Sequence, residues 1–205
     1  NTYDLKKIWP ISIGIDHALS ETGDWFACEF LATDTVKHPT QDLYLPGFNK
    51  QIFYDEYGWS NKHYRFKNDI QMAREVIDKL INLVEENEWQ TKIKKAGFLI
   101  IIDNNAQSFR QTIIQVIKET MIEKPYLKHW MKRISVRLTE GKNAKVQIEP
   151  KSGKVNAKKG AILRNRRFLE YRMKHIDKIA CPRYYQQFIN TSFDQDGEVV
   201  DKYND

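Results

Sequence analysis

The sequence predicts an α/β fold: a mixed β-sheet, built from an antiparallel meander plus parallel strands, flanked by helices. Three observations carry this reading. Apolar and aromatic runs of strand length come first, at Ile11–Ile15, Trp25–Thr33 and Gln51–Trp59, with short connections. The apolar period then lengthens to that of a helix from Asp69 onward. Last, a wholly apolar run, Phe98–Ile102, lies between two such helical stretches, giving strand, helix, strand, helix after the meander. A chain of 205 residues, 41% hydrophobic and 12% aromatic, can build the core of one domain.

Each element has a local reason. Ile11–Ile15 is β-branched and ends at Asp16, so it reads as a buried strand delivering an acid to its end. Trp25–Thr33 is the second strand. The stretch from Asp34 to Lys50 contains two prolines and a glycine and is expected to be a loop. Gln51–Trp59 alternates and is aromatic, which favours a third strand. Ile70, Ala73, Ile77, Leu80, Ile81 and Val84 then recur at helical spacing, with Asp69 as the expected N-cap and an end near Trp89. Phe98–Ile102 is apolar at every position, as a strand covered on both faces should be. A helix follows with Phe109, Ile113, Val116, Ile117 and Met121 on its inner face and Pro125 beyond its end. Ile134–Leu138 is the fifth strand. Pro182 opens a short helix with Phe188 and Ile189 facing the core, and the tail is polar and acidic. Trp59, Trp89 and Trp130 are expected in the core or at an interface.

Charge separates the chain into two kinds of territory. The net charge is +6, and the cations crowd between Gly141 and Lys174, where eleven Lys and Arg face only Glu149 and Glu170. A solvated helix face needs no such excess, so this segment is expected to hold a polyanion through its phosphates. Lys154, Lys158, Lys159, Arg164, Arg166 and Arg167 are the expected DNA contacts. Gly141 and Gly153 bracket Lys145–Glu149, a possible strand of a protruding hairpin over the site, and Lys158–Lys174 has helical character. No stretch of eighteen apolar residues exists, so no membrane span is expected, and the start lacks a signal-peptide pattern. Cys28 and Cys181 have neither zinc spacing nor a disulfide framework and read as buried thiols of a reducing compartment.

The acids carry the chemistry. Asp16 ends the first strand and Asp103 follows the fourth. If those strands are parallel neighbours, both carboxylates meet at one edge of the sheet. Two such groups repel unless a cation sits between them, and hard oxygen donors select Mg²⁺ or Mn²⁺. A third carboxylate would let the site hold two ions. The tail offers Asp201 and Asp205, and the loop after the first strand offers Asp24 and Glu21. His17 follows Asp16 directly and so points to the opposite face of its strand.

The order of these elements, with acids after the first and fourth strands, resembles that of RNase H-like nucleases. The opening Ile13-Gly-Ile-Asp16-His-Ala-Leu-Ser, followed by Gly23-Asp24-Trp-Phe-Ala, resembles the nuclease domain of bacteriophage terminase large subunits. Tyr54–Trp59 resembles that family's third strand, and Leu99-Ile-Ile-Ile-Asp103-Asn-Asn-Ala-Gln-Ser its turn after strand four. Asn156–Arg167 resembles the stretch before its next helix, and Tyr203-Asn-Asp205 the start of its final acidic motif. The resemblance is a succession of short motifs across nearly the whole chain. It departs at Asp103, where many members carry Glu, and at Asp205, where the final motif is incomplete.

What the resemblance implies is an RNase H-like sheet and a metal-dependent endonuclease that cuts concatemeric viral DNA during genome packaging. Asp16, Asp103 and Asp205 would be its catalytic, metal-binding acids, with Asp201 and Asp24 as further candidates. Two Mg²⁺ or Mn²⁺ ions would serve, one orienting the attacking water and one the leaving oxygen. The substrate would be double-stranded DNA, and the setting phage assembly in the host cytoplasm. No phosphate-binding loop of the Lys-Ser/Thr type is found, so the chain is expected to be the C-terminal part of a longer protein with an N-terminal ATPase. In that full-length protein, portal and small terminase subunit would be partners. The competing expectations are a resolvase- or transposase-type nuclease, and a basic DNA-binding module whose acids are structural.

Overall fold

The computed structural model describes residues 3–17, 25–42, 44–139, 174–190, 192–193 and 199–200. Its principal sheet joins six strands in the order β5-β4-β1-β2-β3-β6. These are β1 (Trp9–Asp16), β2 (Phe26–Lys37), β3 (Tyr44–Trp59), β4 (Phe98–Ile102), β5 (Ile134–Leu138) and β6 (Lys174–Ile176). β1, β2 and β3 form the antiparallel meander, whereas β4 and β5 run parallel to β1, and β6 runs parallel to β3. A meander extended at its first strand by two parallel strands is an RNase H-like arrangement. A small antiparallel pair, β7 (Ser192–Phe193) and β8 (Val199–Val200), stands apart from this sheet.

One face of the sheet is covered by α1 (Asp69–Glu86) and α3 (Gln107–Glu123), which pack on each other. Into this layer project Ile13 and Ile15 of β1, Phe26 and Phe30 of β2, and Ile100 and Ile102 of β4. They meet Ala73, Val76, Ile77 and Leu80 of α1 and Phe109 and Ile113 of α3. Each fully buried aliphatic or aromatic side chain of this kind contributes about 1.5–3 kcal/mol relative to exposure. Strand parity therefore decides what reaches the opposite face, which the α1–α3 layer leaves open.

Several elements differ from their sequence reading. The stretch from Asp34 to Lys50 is mostly strand, because β2 runs on to Lys37 and β3 begins at Tyr44. Pro39 stays in the connection between these strands, whereas Pro46 and Gly47 lie in β3 beside an irregular register between Thr33 and Thr35, where Asp34 Oδ1 accepts hydrogen bonds from the Asn49 and Lys50 amides. A Cβ on Gly47 would lie 2.5 Å from that carboxylate oxygen, so a side chain there would displace Asp34 from the amides it accepts from. The cap of α1 is Asn68, not Asp69: Asn68 Oδ1 accepts from the Gln71 amide while Gln71 Oε1 accepts from the Asn68 amide. Ile70 is exposed, and Met72 takes a buried place. α1 ends at Glu86, and Trp89 instead leads into α2 (Gln90–Ala96), with Glu88 taking a positive φ of 57° between them.

β4 is buried at alternate positions, because helices cover only one of its faces. Past α3, Pro125 opens a single 3₁₀ turn ahead of α4 (Lys128–Met131). α5 (Pro182–Asn190) forms as expected, but Ile189 is exposed and Phe188 only half-buried. Trp89 and Trp130 are fully buried, and Cys28 and Cys181 are buried free thiols. Among the described residues no helix is long and apolar enough to cross a membrane.

Candidate active site

β1 and β4 are adjacent and parallel, with Ser12 beside Leu99, Ile13 beside Ile100, Gly14 beside Ile101 and Ile15 beside Ile102. The next rung places Asp16 beside Asp103, and the Asp103 amide donates to the Ile15 carbonyl at 3.2 Å. Neighbouring strands lie about 4.8 Å apart. Paired residues of parallel strands share a face, so parity sends both carboxylates away from the α1–α3 layer. Asp16 is exposed and Asp103 half-buried. The two acids thus come from residues 87 positions apart and stand side by side at the carboxyl ends of their strands.

The turn after β4 is built to hold Asp103. Its Oδ1 accepts from the Asn104 amide at 2.7 Å, its Oδ2 lies 3.4 Å from Asn105 Nδ2, and its carbonyl accepts from the Ala106 amide. Thr139 ties β5 to the same corner: its amide donates to the Ile102 carbonyl, and its hydroxyl accepts from the Asn104 amide. His17 points the other way, as its parity requires. Its Nε2 is 2.9 Å from Asp69 Oδ1, and its ring stacks on Phe109 with centroids 4.4 Å apart. That contact anchors the end of β1 to α1 and α3 while leaving Asp16 on the open side.

Beyond Asp16, the open face carries polar groups that the sequence reading passed over. Glu29 of β2 is the partner of Gly14 and also of Glu56 on β3. Burial raises the Glu29 carboxyl to about 7, with Glu56 and Asp16 pushing the same way and Lys174 opposing. Lys174, expected at the end of a basic helix, lies in β6 and is only 5% exposed. Burial lowers its ammonium to about 8, against the attraction of Glu29. Its Nζ donates to the Tyr184 hydroxyl and lies 4.4 Å from the Phe53 ring centre. Glu56 accepts from the Arg183 and Tyr184 amides at 3.0 Å each, which seats the first turn of α5 on the sheet. The Arg183 guanidinium then stacks on Trp25. Between α5 and β2–β3 remains a cavity of about 280 Å³, lined by Glu29, Glu56 and Gly58 among others. A signal for Glu29 was present: it sits between Cys28 and Phe30, whose apolar alternation sends 27, 29 and 31 to the other face.

Of the predicted acids, Asp16 and Asp103 are brought together. Asp24, Asp201 and Asp205 lie outside the described residues. So do Lys154, Lys158, Lys159, Arg164, Arg166 and Arg167, together with the hairpin between Gly141 and Gly153 and the helix predicted from Lys158, up to residue 173. Among the described residues no group of three or more His, Cys, Asp or Glu is placed to hold a metal ion. The donor chemistry of the described pair still fits a hard divalent cation. Two carboxylates side by side at an open strand edge suit an ion that keeps most of its waters. Any third protein carboxylate would have to come from residues outside the described set. Compared with known proteins, the chain matches no family model, no curated protein and no solved structure.

Proposed function

We propose that this chain is a metal-dependent DNA endonuclease domain of the phage terminase large-subunit type, cutting concatemeric DNA during packaging in the host cytoplasm. The observation that supports this reading is the pairing of Asp16 with Asp103 at the ends of adjacent parallel strands, on the open face of an RNase H-like sheet. The two carboxylates are the divalent-ion ligands, with Asp205, Asp201 or Asp24 as the source of a third. Mg²⁺ or Mn²⁺ bound there supplies Lewis-acid activation of a water and of the leaving oxygen of a phosphodiester. The chain's own contribution is placement. The Asn104 amide and Asn105 fix the Asp103 carboxylate, and the His17 contact holds the end of β1. The cations between Gly141 and Lys174 add affinity for the duplex, and portal and small terminase subunit are the partners of the full-length protein.

A plasmid-nicking assay in Mn²⁺, with an EDTA control, tests this reading. The wild-type chain should convert supercoiled DNA to open circles and linear forms. Asp16→Asn and Asp103→Asn should each lose more than the roughly 10–100-fold typical of outer-shell substitutions, with circular dichroism unchanged. Undiminished cutting by both variants, or none by the wild type, would reject the assignment.

A further inference from the structure

The open face continues away from the acids along β5. Here Arg137 is the partner of Ile101 and Ser135 the partner of Leu99, while the Arg133 carbonyl accepts from the Phe98 amide. Arg133, Ser135, Arg137 and Thr139 are all exposed, and alternate residues Ile134, Val136 and Leu138 pack toward the core. At about 3.3 Å per residue, this row runs about 20 Å from the Asp103 corner to Arg133. It ends in a groove of about 450 Å³ between β4–β5 and the β2–β3 arm.

The groove has a marked chemistry. Lys132, Arg133 and Arg137 line it, and among the described residues no Asp or Glu does. From Lys124 to Thr139 the sequence holds five Lys and Arg and no acid. Among the described residues, Lys132, Arg133 and Arg137 make no ion pair. Across from them the arm presents Phe48, which is 72% exposed and held at a positive φ of 56°. Among the described residues this large aromatic is left without a packing partner that buries it, opposite guanidinium groups that make no ion pair.

We infer that β5 and this groove form a track for a DNA strand, with its phosphates on Arg137, Arg133 and Lys132 and a base stacked on Phe48. Positive side chains spaced along a strand bind phosphates without reading sequence, and an exposed ring accepts any base. The inference rests on the proposed nuclease reading only for its direction, since the track leads to the Asp16–Asp103 edge. It assigns DNA contact to residues distinct from the basic segment between Gly141 and Lys174.

Fluorescence anisotropy with a fluorescein-labelled oligodeoxynucleotide, single- and double-stranded, tests it on the full chain in EDTA. The triple variant Lys132→Gln/Arg133→Gln/Arg137→Gln should bind at least roughly tenfold more weakly. Its slope of log affinity against log salt should shrink by roughly two to three, since each phosphate contact contributes 0.7–0.9. Phe48→Ala should weaken single-strand binding more than duplex binding. All four residues are exposed, so the variants should fold. Unchanged affinity and salt slope in the triple variant, or no DNA binding by the wild type, would overturn the track. Cation-dependent binding without any nicking in Mn²⁺ would keep the track and reject the nuclease. Nicking with an unaffected triple variant would do the reverse.

Discussion

Glu29 sits mid-strand between two buried side chains, and its carboxyl holds a proton far longer than a free glutamate does. The folded value is about 7 against 4.5 for the unperturbed group. The unfolded chain therefore releases this proton first. The stability it confers is whole below pH 4.5 and is lost as pH rises through about 7. Glu29→Gln removes that titration. Thermal or urea unfolding should show the variant more stable than wild type at pH 8, by on the order of 3 kcal/mol, and nearly equal at pH 4. A gain independent of pH would mean that burial is not the cause. At this scale the sequence was informative about Asp16 and Asp103, because an acid ending an apolar run declares its position. The alternation of Cys28 and Phe30 set the face of Glu29, but neither its neighbours nor those of Lys174 were legible, since they depend on which strands pair.

Among the elements, the strands β1, β4 and β5 and the helix α3 were legible from period and length. Those cues fail where side chains replace backbone partners. Asp34 takes the place of ladder bonds in the β2–β3 arm, so Pro46 and Gly47, which looked like loop residues, lie within a strand. Asn68 caps α1 one residue earlier than periodicity placed the start, through its exchange with Gln71. Asn68→Ala should then cost about 1 kcal/mol, visible as a lowered urea midpoint with an unchanged slope. Asp69→Ala should act differently, since Asp69 holds His17 rather than the helix amides. The basic helix predicted up to Lys174 was misplaced at its end. A lysine can enter a strand when Tyr184 accepts from its ammonium and the Phe53 ring lies beneath it.

For the molecule as a whole, one core links the meander to the parallel strands, so the fold should come apart as a unit. Ile100 lies at its centre, fully buried between β1 and the helix layer. Ile100→Ala should cost about 2–5 kcal/mol. Fluorescence from the buried Trp89 and Trp130 should fall together with far-ultraviolet circular dichroism in urea, in wild type and variant alike. The mixed character of the sheet was readable, because a meander followed by strand–helix–strand units permits few right-handed solutions. A third acid beside Asp16 and Asp103 was not, since spacing along a chain does not say which distant carboxylates meet in space. Among the described residues, β5 is the outermost strand of the principal sheet. An outermost strand exposes backbone groups on which another copy can template, and charged side chains there keep copies apart. In this chain the guardians of that border are Arg133 and Arg137, the very groups facing the groove. A polyanion that neutralises them disarms the border as it binds, so solutions mixed near charge equivalence should turn cloudy while those with excess of either component stay clear.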